Sequence, residues 1–237
     1  GIYTGTVAGG PFALDAVLWY PMYFASSNIF RYGAPTAWLS AVLADSTEYD
    51  PWAVGRNVNF LDNHDNGRFM GFQSGADGDD AKLRAALTWQ HTSLGIPLVY
   101  YGTEQEFDGG GDPWNREDMW DGQWDFGPSE GDNFDMTTPM FRHVRRLNEL
   151  RAAFPALRRG AQDDIASSGG AGLYAYYRRL PGEETVLVGV NTDTTPRVLG
   201  FDPDVPAGPL VDGVSGRSFD VPASGPVSLQ MGGLTAA

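Results

Sequence analysis

The order of apolar and polar residues predicts short buried strands separated by helices in the first 160 residues. Residues 58–61 form a strand-like run, residues 81–94 carry leucines and alanines at helical spacing, and residues 96–101 are entirely apolar. A strand that is apolar on both faces is typical of a parallel sheet with helices on both sides. The strand, helix and strand over residues 57–101 therefore predict a βαβ unit.

The rest of this part follows the same pattern. Residues 16–20 predict a buried strand that Pro21 either breaks or converts into a helix, and residues 37–43 predict a helix. Residues 139–159 predict one amphipathic helix with an arginine-rich outer face. Residues 45–56, 67–80 and 102–138 predict loops. The last of these is rich in Gly, Asp, Asn and Trp, and irregular segments of that length are usually functional.

The pattern changes after Gly160. Short strand-like runs lie between turns rich in Gly, Pro and Asp, which predicts an antiparallel β domain. We therefore place a boundary near residue 160, giving domains over residues 1–160 and 161–237. The predicted strands of the second domain are residues 173–178, 185–191, 197–201, 217–221 and 226–231.

The composition excludes some classes of function. The 237 residues include 30 acidic and 16 basic side chains, a formal charge of −14, so we expect neither nucleic-acid binding nor binding to an anionic membrane surface. No apolar run approaches the ~20 residues that span a bilayer. The chain has no cysteine, which excludes disulfides and thiol chemistry. Aromatic residues make up 13% of the chain, and several lie beside charged residues, as suits the apolar faces of sugar rings.

Polar and ionisable residues are concentrated where the strand at residues 58–61 ends. Asp62, Asn63, His64 and Asp65 follow it directly. In parallel α/β proteins this end of a strand is where ligands bind and reactions occur. Asp and Asn also hydrogen-bond their own backbone, so the same residues predict a simple Asx-rich turn. Taken alone, this segment supports both interpretations.

Three stretches in this order resemble the α-amylase family of glycoside hydrolases. Residues 60–65 are similar to the end of that family's seventh barrel strand. Residues 95–105 are similar to its eighth strand, and residues 110–117 to the sugar-binding loop that follows. Residues 16–21 look like the segment around its sixth strand. The resemblance implies an α/β fold, the C-terminal portion of a (β/α)8 TIM barrel over residues 1–160, followed by an antiparallel β-sandwich domain over residues 161–237.

The resemblance also implies roles for single residues. Asp65 matches the third catalytic carboxylate, which grips the hydroxyls of the sugar at the cleavage point. His64 matches the imidazole that binds the same sugar. Asp112 and Arg116 match residues that hold sugars further toward the non-reducing end. A salt bridge from Arg116 to Asp112 or Glu117 is the structural alternative for that arginine.

Four other ionisable residues are not assigned to the catalytic or sugar-binding site. Asp62 is expected to orient its neighbours, and Glu104 lies in a run that is mainly structural in the family. His91 and His143 lie in predicted helices and are expected to be packing or surface residues.

The resemblance does not include the first part of the family's barrel. The family's nucleophilic Asp and general-acid Glu have no match, and residues 1–5 resemble the segment just after that Glu. We therefore expect this chain to form roughly the last third of the barrel and to be inactive alone. Its expected partner is the missing N-terminal part of the barrel. The family's calcium is expected in the full-length protein, with no ligands in this chain. Extracellular location is a further expectation.

Three functions stay open. The first is retaining hydrolysis of α-1,4-linked glucans such as starch. The second is a non-catalytic barrel relative or interaction module, and the third is a transglycosylase of the same family. The presence of Asp65, His64, Asp112 and Arg116 together favours an enzyme.

Overall fold

The computed structural model describes residues 14–46, 51–71, 79–120, 131–203 and 207–236. The similarity of residues 1–5 to the segment after the general acid falls outside them. No helix in these ranges is both long and apolar enough to span a membrane. The helices are α1 (Tyr20–Tyr32), α2 (Ala37–Asp45), α3 (Pro51–Val54), α4 (Asp80–Thr92), α5 (Pro139–Ala153) and α6 (Pro155–Arg159), with a 3-10 turn at Thr103–Gln105.

The helical part contains a parallel two-stranded sheet. Strand β1 (Val58–Phe60) pairs with β2 (Ile96–Leu98), and α4 connects them, so the predicted βαβ unit is confirmed. On the other edge of β1, the predicted strand at residues 16–20 is reduced to one parallel bridge between Leu18 and Val58. It ends there because α1 begins at Tyr20, and the fixed φ of Pro21 suits the first helical turn.

The helix boundaries follow from local chemistry. The Asp79 side chain accepts hydrogen bonds from the backbone N–H groups of Ala81 (3.0 Å) and Lys82 (3.2 Å) and so caps α4. After α4, Gly95 turns the chain into β2 with φ +115°, a conformation that L side chains rarely adopt.

Two local predictions were wrong. Residues 139–159 form two helices, because Phe154 precedes Pro155 and takes an extended conformation, with φ −102° and ψ 104°. The proline ring clashes with a helical preceding residue, so α5 ends there. The predicted loop at residues 45–56 contains the short helix α3.

The second part is antiparallel, as predicted. The strands are β3 (Ala161–Ala166), β4 (Leu173–Arg179), β5 (Val186–Asn191), β6 (Arg197–Phe201), β7 (Gly208–Val211), β8 (Ser218–Val221), β9 (Val227–Met231) and β10 (Thr235–Ala236). The largest sheet has the strand order β10–β5–β4–β3, and two further strand pairs are β6–β9 and β7–β8. Strands β3, β7 and β10 were not predicted; β3 is largely exposed and polar, so no alternation marks it.

Strand β4 separates two apolar cores. Tyr174 and Tyr176 face the cluster that holds the helices, while Ala175 and Tyr177 face the cluster shared with β6 and β9. Alternate side chains of a strand point to opposite faces, which produces this division. The change from helix to strand falls at Gly160, as predicted, but one core continues across it. The division into two domains stays a prediction.

Candidate active site

The loop after β1 is an Asx turn that presents two ionisable side chains. The Asn63 Oδ1 atom accepts hydrogen bonds from the backbone N–H groups of Asp65 (2.9 Å) and Asn66 (2.9 Å). His64 and Asp65 lie at the tip of this turn with side chains 62% and 61% exposed, and their Nε2 and Oδ1 atoms are 3.4 Å apart. The turn interpretation and the site interpretation therefore describe the same loop.

The loop at residues 111–117 buries Asn115 and Glu117 and exposes Asp112, Trp114 and Arg116. Asn115 is fully buried, whereas Asp112 and Arg116 are exposed. The Arg116 Nη2 and Asp112 Oδ1 atoms lie 3.3 Å apart. The ion pair that we considered as the alternative for Arg116 thus exists with Asp112, while Glu117 pairs with Arg68 instead. Asp112 and Arg116 both stay accessible to a ligand.

The two loops are in direct contact. The Asn115 Nδ2 atom lies 2.9–3.2 Å from the carbonyl oxygens of Asn63, His64 and Asn66. The Arg116 Nε and Nη2 atoms each lie 3.2 Å from the His64 carbonyl oxygen. The structure therefore brings all four predicted site residues into one surface region. Their sugar-binding and catalytic roles stay predictions.

Buried polar groups hold the first loop from below. Asp62 is 2% exposed, and its carboxylate accepts hydrogen bonds from the Phe69 N–H (3.0 Å) and the Thr103 hydroxyl (3.0 Å). Burial raises the pKa of Asp62, and the nearby Arg68 charge opposes this. The Arg31 Nη2 atom on α1 donates to the Arg68 carbonyl oxygen at 3.1 Å. Asp62 thus orients the loop, as expected, and takes no exposed position.

The remaining candidates also have defined environments. His91 is buried, its Nδ1 atom lies 2.8 Å from the Leu87 carbonyl oxygen, and burial lowers its pKa to about 4. His143 lies beside the Thr88 hydroxyl at 3.1 Å, so both histidines are packing residues. Glu104 is partly buried in the 3-10 turn.

The described residues contain no group of three or more His, Cys, Asp or Glu side chains that could hold a metal ion. The calcium expected from the resemblance stays a prediction.

Sequence reasoning missed the residues that assemble the site. Asn63 and Asn115 shape and join the two loops, and Arg68 and Glu117 form a buried ion pair beneath them. The available signal was position: each is a polar residue inside a segment that already carried candidate chemistry.

The exposed groups suit a polyhydroxylated ligand. Two carboxylates, an imidazole and a guanidinium offer charge-assisted hydrogen bonds, which are stronger than neutral ones. Trp114 lies within the second loop with 49% of its surface exposed, and Tyr101 is 41% exposed. Aromatic faces pack against the apolar faces of sugar rings.

Comparison with known proteins points to one family. The profile of the α-amylase catalytic domain matches residues 15–160. An α-amylase of Niallia circulans is 34% identical over 215 residues, covering 87% of this chain and 37% of that protein. A cyclomaltodextrin glucanotransferase of the same organism is 31% identical over 194 residues, covering 81% of this chain and 24% of that protein. The chain thus spans well under half of these relatives.

A solved structure agrees with the sequence comparisons. The crystal structure of an Anoxybacillus α-amylase superposes with a TM-score of 0.78 and 26% identity, covering 95% of this chain and 46% of that one. Both parts of the present chain, before and after residue 160, fall within that coverage. The protein belongs to the α-amylase family of glycoside hydrolases, which includes both hydrolases and transglycosylases.

Proposed function

We infer that this chain forms the C-terminal portion of a (β/α)8 barrel and a following antiparallel β-sandwich domain in a retaining glycosidase that acts on α-1,4-linked glucans. The contact between the two site loops carries this inference. Asn115 and Arg116 fasten to the backbone of the loop that presents His64 and Asp65. This places a carboxylate, an imidazole and a guanidinium side by side and open to a ligand.

In this proposal, Asp65 and His64 bind the sugar at the cleavage point. The transition state of glycoside hydrolysis resembles an oxocarbenium ion, and hydrogen bonds to the sugar hydroxyls strengthen as it forms. The negative charge of Asp65 also favours the protonated form of a nearby carboxylic acid, as the general acid requires. Asp112 and Arg116 hold the neighbouring sugars. Residues outside the matched motifs supply the nucleophile and the general acid.

Transglycosylation is the second candidate. It is favoured by the 31% identity to a cyclomaltodextrin glucanotransferase over 81% of the chain. The same carboxylates serve both reactions, and the two differ in whether water or a sugar hydroxyl attacks. The non-catalytic alternative has less support, because a barrel without activity does not need all four exposed site residues. Calcium in the complete protein and an extracellular location belong to the same proposal and rest on the resemblance.

The test is turnover of soluble starch by the complete enzyme and its Asp65→Asn variant. Asn keeps the size of the side chain and removes the charge, and the position is 61% exposed, so we expect an unchanged fold. The turnover number should fall about 100-fold or more. Reducing-sugar release measures hydrolysis, and chromatography of the products detects cyclic or lengthened glucans if transglycosylation dominates.

Two controls accompany this measurement. Circular dichroism of the variant should match that of the parent, and residues 1–237 alone should release no reducing sugar. Near-normal turnover by Asp65→Asn would remove the residue on which the proposal depends. Robust turnover by residues 1–237 would show that other carboxylates perform the reaction.

A further inference from the structure

A fully buried ion pair lies beneath the candidate site. The Arg68 Nε and Glu117 Oε2 atoms are 2.9 Å apart, and both side chains are 0% exposed. Burying two charges is costly unless they are paired and hydrogen-bonded. By contrast, the ion pair between Arg145 and Glu149 on α5 has side chains 73% and 50% exposed.

The arginine of this pair is bound to several segments at once. Its Nη1 atom donates to the Tyr101 carbonyl oxygen at 2.5 Å, and its backbone N–H donates to the Gly109 carbonyl oxygen at 3.2 Å. Its guanidinium lies 4.2 Å from the Tyr100 ring centre and 5.1 Å from that of Phe107. Arg68 thus joins the loop after β1 to the segment after β2.

The glutamate fixes the segment that leads into the second loop. Its Oε1 atom accepts hydrogen bonds from the backbone N–H groups of Asp108 (3.1 Å) and Gly109 (3.0 Å). Glu117 itself lies at the end of this loop, so one carboxylate holds both ends together. The closure is tight: a Cβ added at Gly109 would lie 1.8 Å from the Trp114 carbonyl oxygen.

Arg68 and Glu117 are close to the site residues in sequence, but their side chains do not reach the exposed surface of the site. Arg68 follows Asp65 by three residues, and Glu117 directly follows Arg116. Neither side chain reaches the surface where a ligand would bind. An apolar pair of similar volume often stabilises a fold as well as a buried ion pair does. Charge-assisted hydrogen bonds add a direction that apolar contacts lack.

We propose that Arg68 and Glu117 are positioning residues that set the placement of Asp65 and His64 relative to Asp112 and Arg116. The pair acts through these loops and does not touch substrate. The inference rests on the proposed glycosidase function. It goes beyond that function by assigning part of the turnover to a buried group that the substrate never meets.

The experiment separates positioning from stability. In the complete enzyme, Arg68→Met combined with Glu117→Met removes both charges and keeps apolar volume. The Tyr101 carbonyl and the Asp108 and Gly109 N–H groups lose their partners, so the thermal midpoint should fall, and turnover is measured at a temperature where the variant is folded. We expect the turnover number on soluble starch to fall about 10- to 100-fold, since displacing a reacting group by about 1 Å can cost that much. The matched control is Arg145→Met with Glu149→Met, which should change neither quantity.

A conservative variant keeps the test decisive if the double variant does not fold. Arg68→Lys retains the charge beside Glu117 and loses the simultaneous bond to the Tyr101 carbonyl and the stacking on Tyr100. We expect about a tenfold lower turnover number with a nearly unchanged thermal midpoint.

Unchanged turnover in Arg68→Lys, or in a folded double variant, would overturn the positioning role. Assaying Asp65→Asn in parallel distinguishes the two failures. If that variant is active, the proposed function fails; if it is inactive while the pair variants keep full turnover, only the positioning role fails.

Discussion

The site loops and the β part of this protein are held together by different kinds of contact. Beneath the site, buried polar and charged groups form the connections: Asp62, Asn63, Arg68, Asn115 and Glu117 are all 5% exposed or less. In the β part, apolar side chains on both faces of β4 and β5 pack into two cores.

The difference matches what each region must do. Apolar burial is roughly proportional to area and has no direction, so it stabilises a sheet without fixing any atom closely. Hydrogen bonds fix distances and angles. The loops that carry Asp65 and Arg116 lack regular backbone pairing, so side chains such as Asn115 replace it. We therefore expect damage to the first region to lower turnover and damage to the second to lower stability.

The largest expected effect is on stability, from Leu199→Ala in β6. Leu199 is 1% exposed within the core formed with Tyr177, Phe201 and Met231. Such truncations cost about 2–5 kcal/mol. The thermal midpoint should fall by several degrees while the turnover number at 25 °C is unchanged.

The control lies on the same strand. Val198 is 58% exposed, so Val198→Ala should leave the thermal midpoint almost unchanged. A large loss of turnover in Leu199→Ala at a temperature where it is fully folded would break the comparison, because it would tie the β part to the chemistry.

The next effect concerns α4, which packs against β5 and β10 of the β part and against β2. Burial lowers the pKa of His91 from 6.5 to about 4. Below pH 6.5 the unfolded chain binds a proton that the folded chain excludes, so stability present above pH 6.5 is lost as the pH falls toward 4. This loss amounts to at most about 3 kcal/mol. His91→Gln should flatten that part of the dependence of the unfolding free energy on pH.

The comparison of variant and parent isolates His91. Burial raises the pKa values of Asp62 and Glu117, so these groups favour the folded state at low pH and oppose the His91 effect. They contribute equally in both proteins. Identical pH dependence in His91→Gln and the parent would contradict the prediction.

A smaller effect is expected in the site region from Asn115→Ala. It removes the amide that lies 2.9–3.2 Å from three backbone carbonyls of the Asp65 loop. The turnover number should fall about tenfold, or about 1.4 kcal/mol in activation free energy. Asn148→Ala, on the exposed side of α5, is the control. If Asn115→Ala lowers the thermal midpoint strongly and spares turnover, the polar network serves stability like the apolar core.

The smallest effect is expected from Arg116→Lys. The change keeps the charge but loses the two-nitrogen contact with the His64 carbonyl oxygen. If Arg116 binds substrate, the KM for maltooligosaccharides should rise about fivefold, equal to about 1 kcal/mol. Arg145→Lys on α5 should leave KM unchanged. An unchanged KM in Arg116→Lys would leave Arg116 only its contacts with Asp112 and the His64 carbonyl oxygen.

Local sequence signals determined several features. The apolar run at residues 96–101 and the helical spacing in residues 81–94 predicted the βαβ unit, and the switch to strands after Gly160 was visible in the turn residues. Asp79 caps α4 through contacts with the next few residues alone, so the start of this helix is a local feature. The helix break at Phe154 was also encoded locally, by Pro155, and was overlooked.

Tertiary structure alone decided how the site is assembled. Asn115 contacts carbonyls 49 to 52 residues away along the chain, and Arg68 lies 49 residues from Glu117. Periodicity and capping describe interactions between near neighbours, whereas these contacts form only after the strands have brought distant loops together. For the same reason β3, exposed and polar, became a strand only because β4 offered it hydrogen bonds. The sequence by itself indicated which residues are candidates for the chemistry, and the folded chain determined which of them touch.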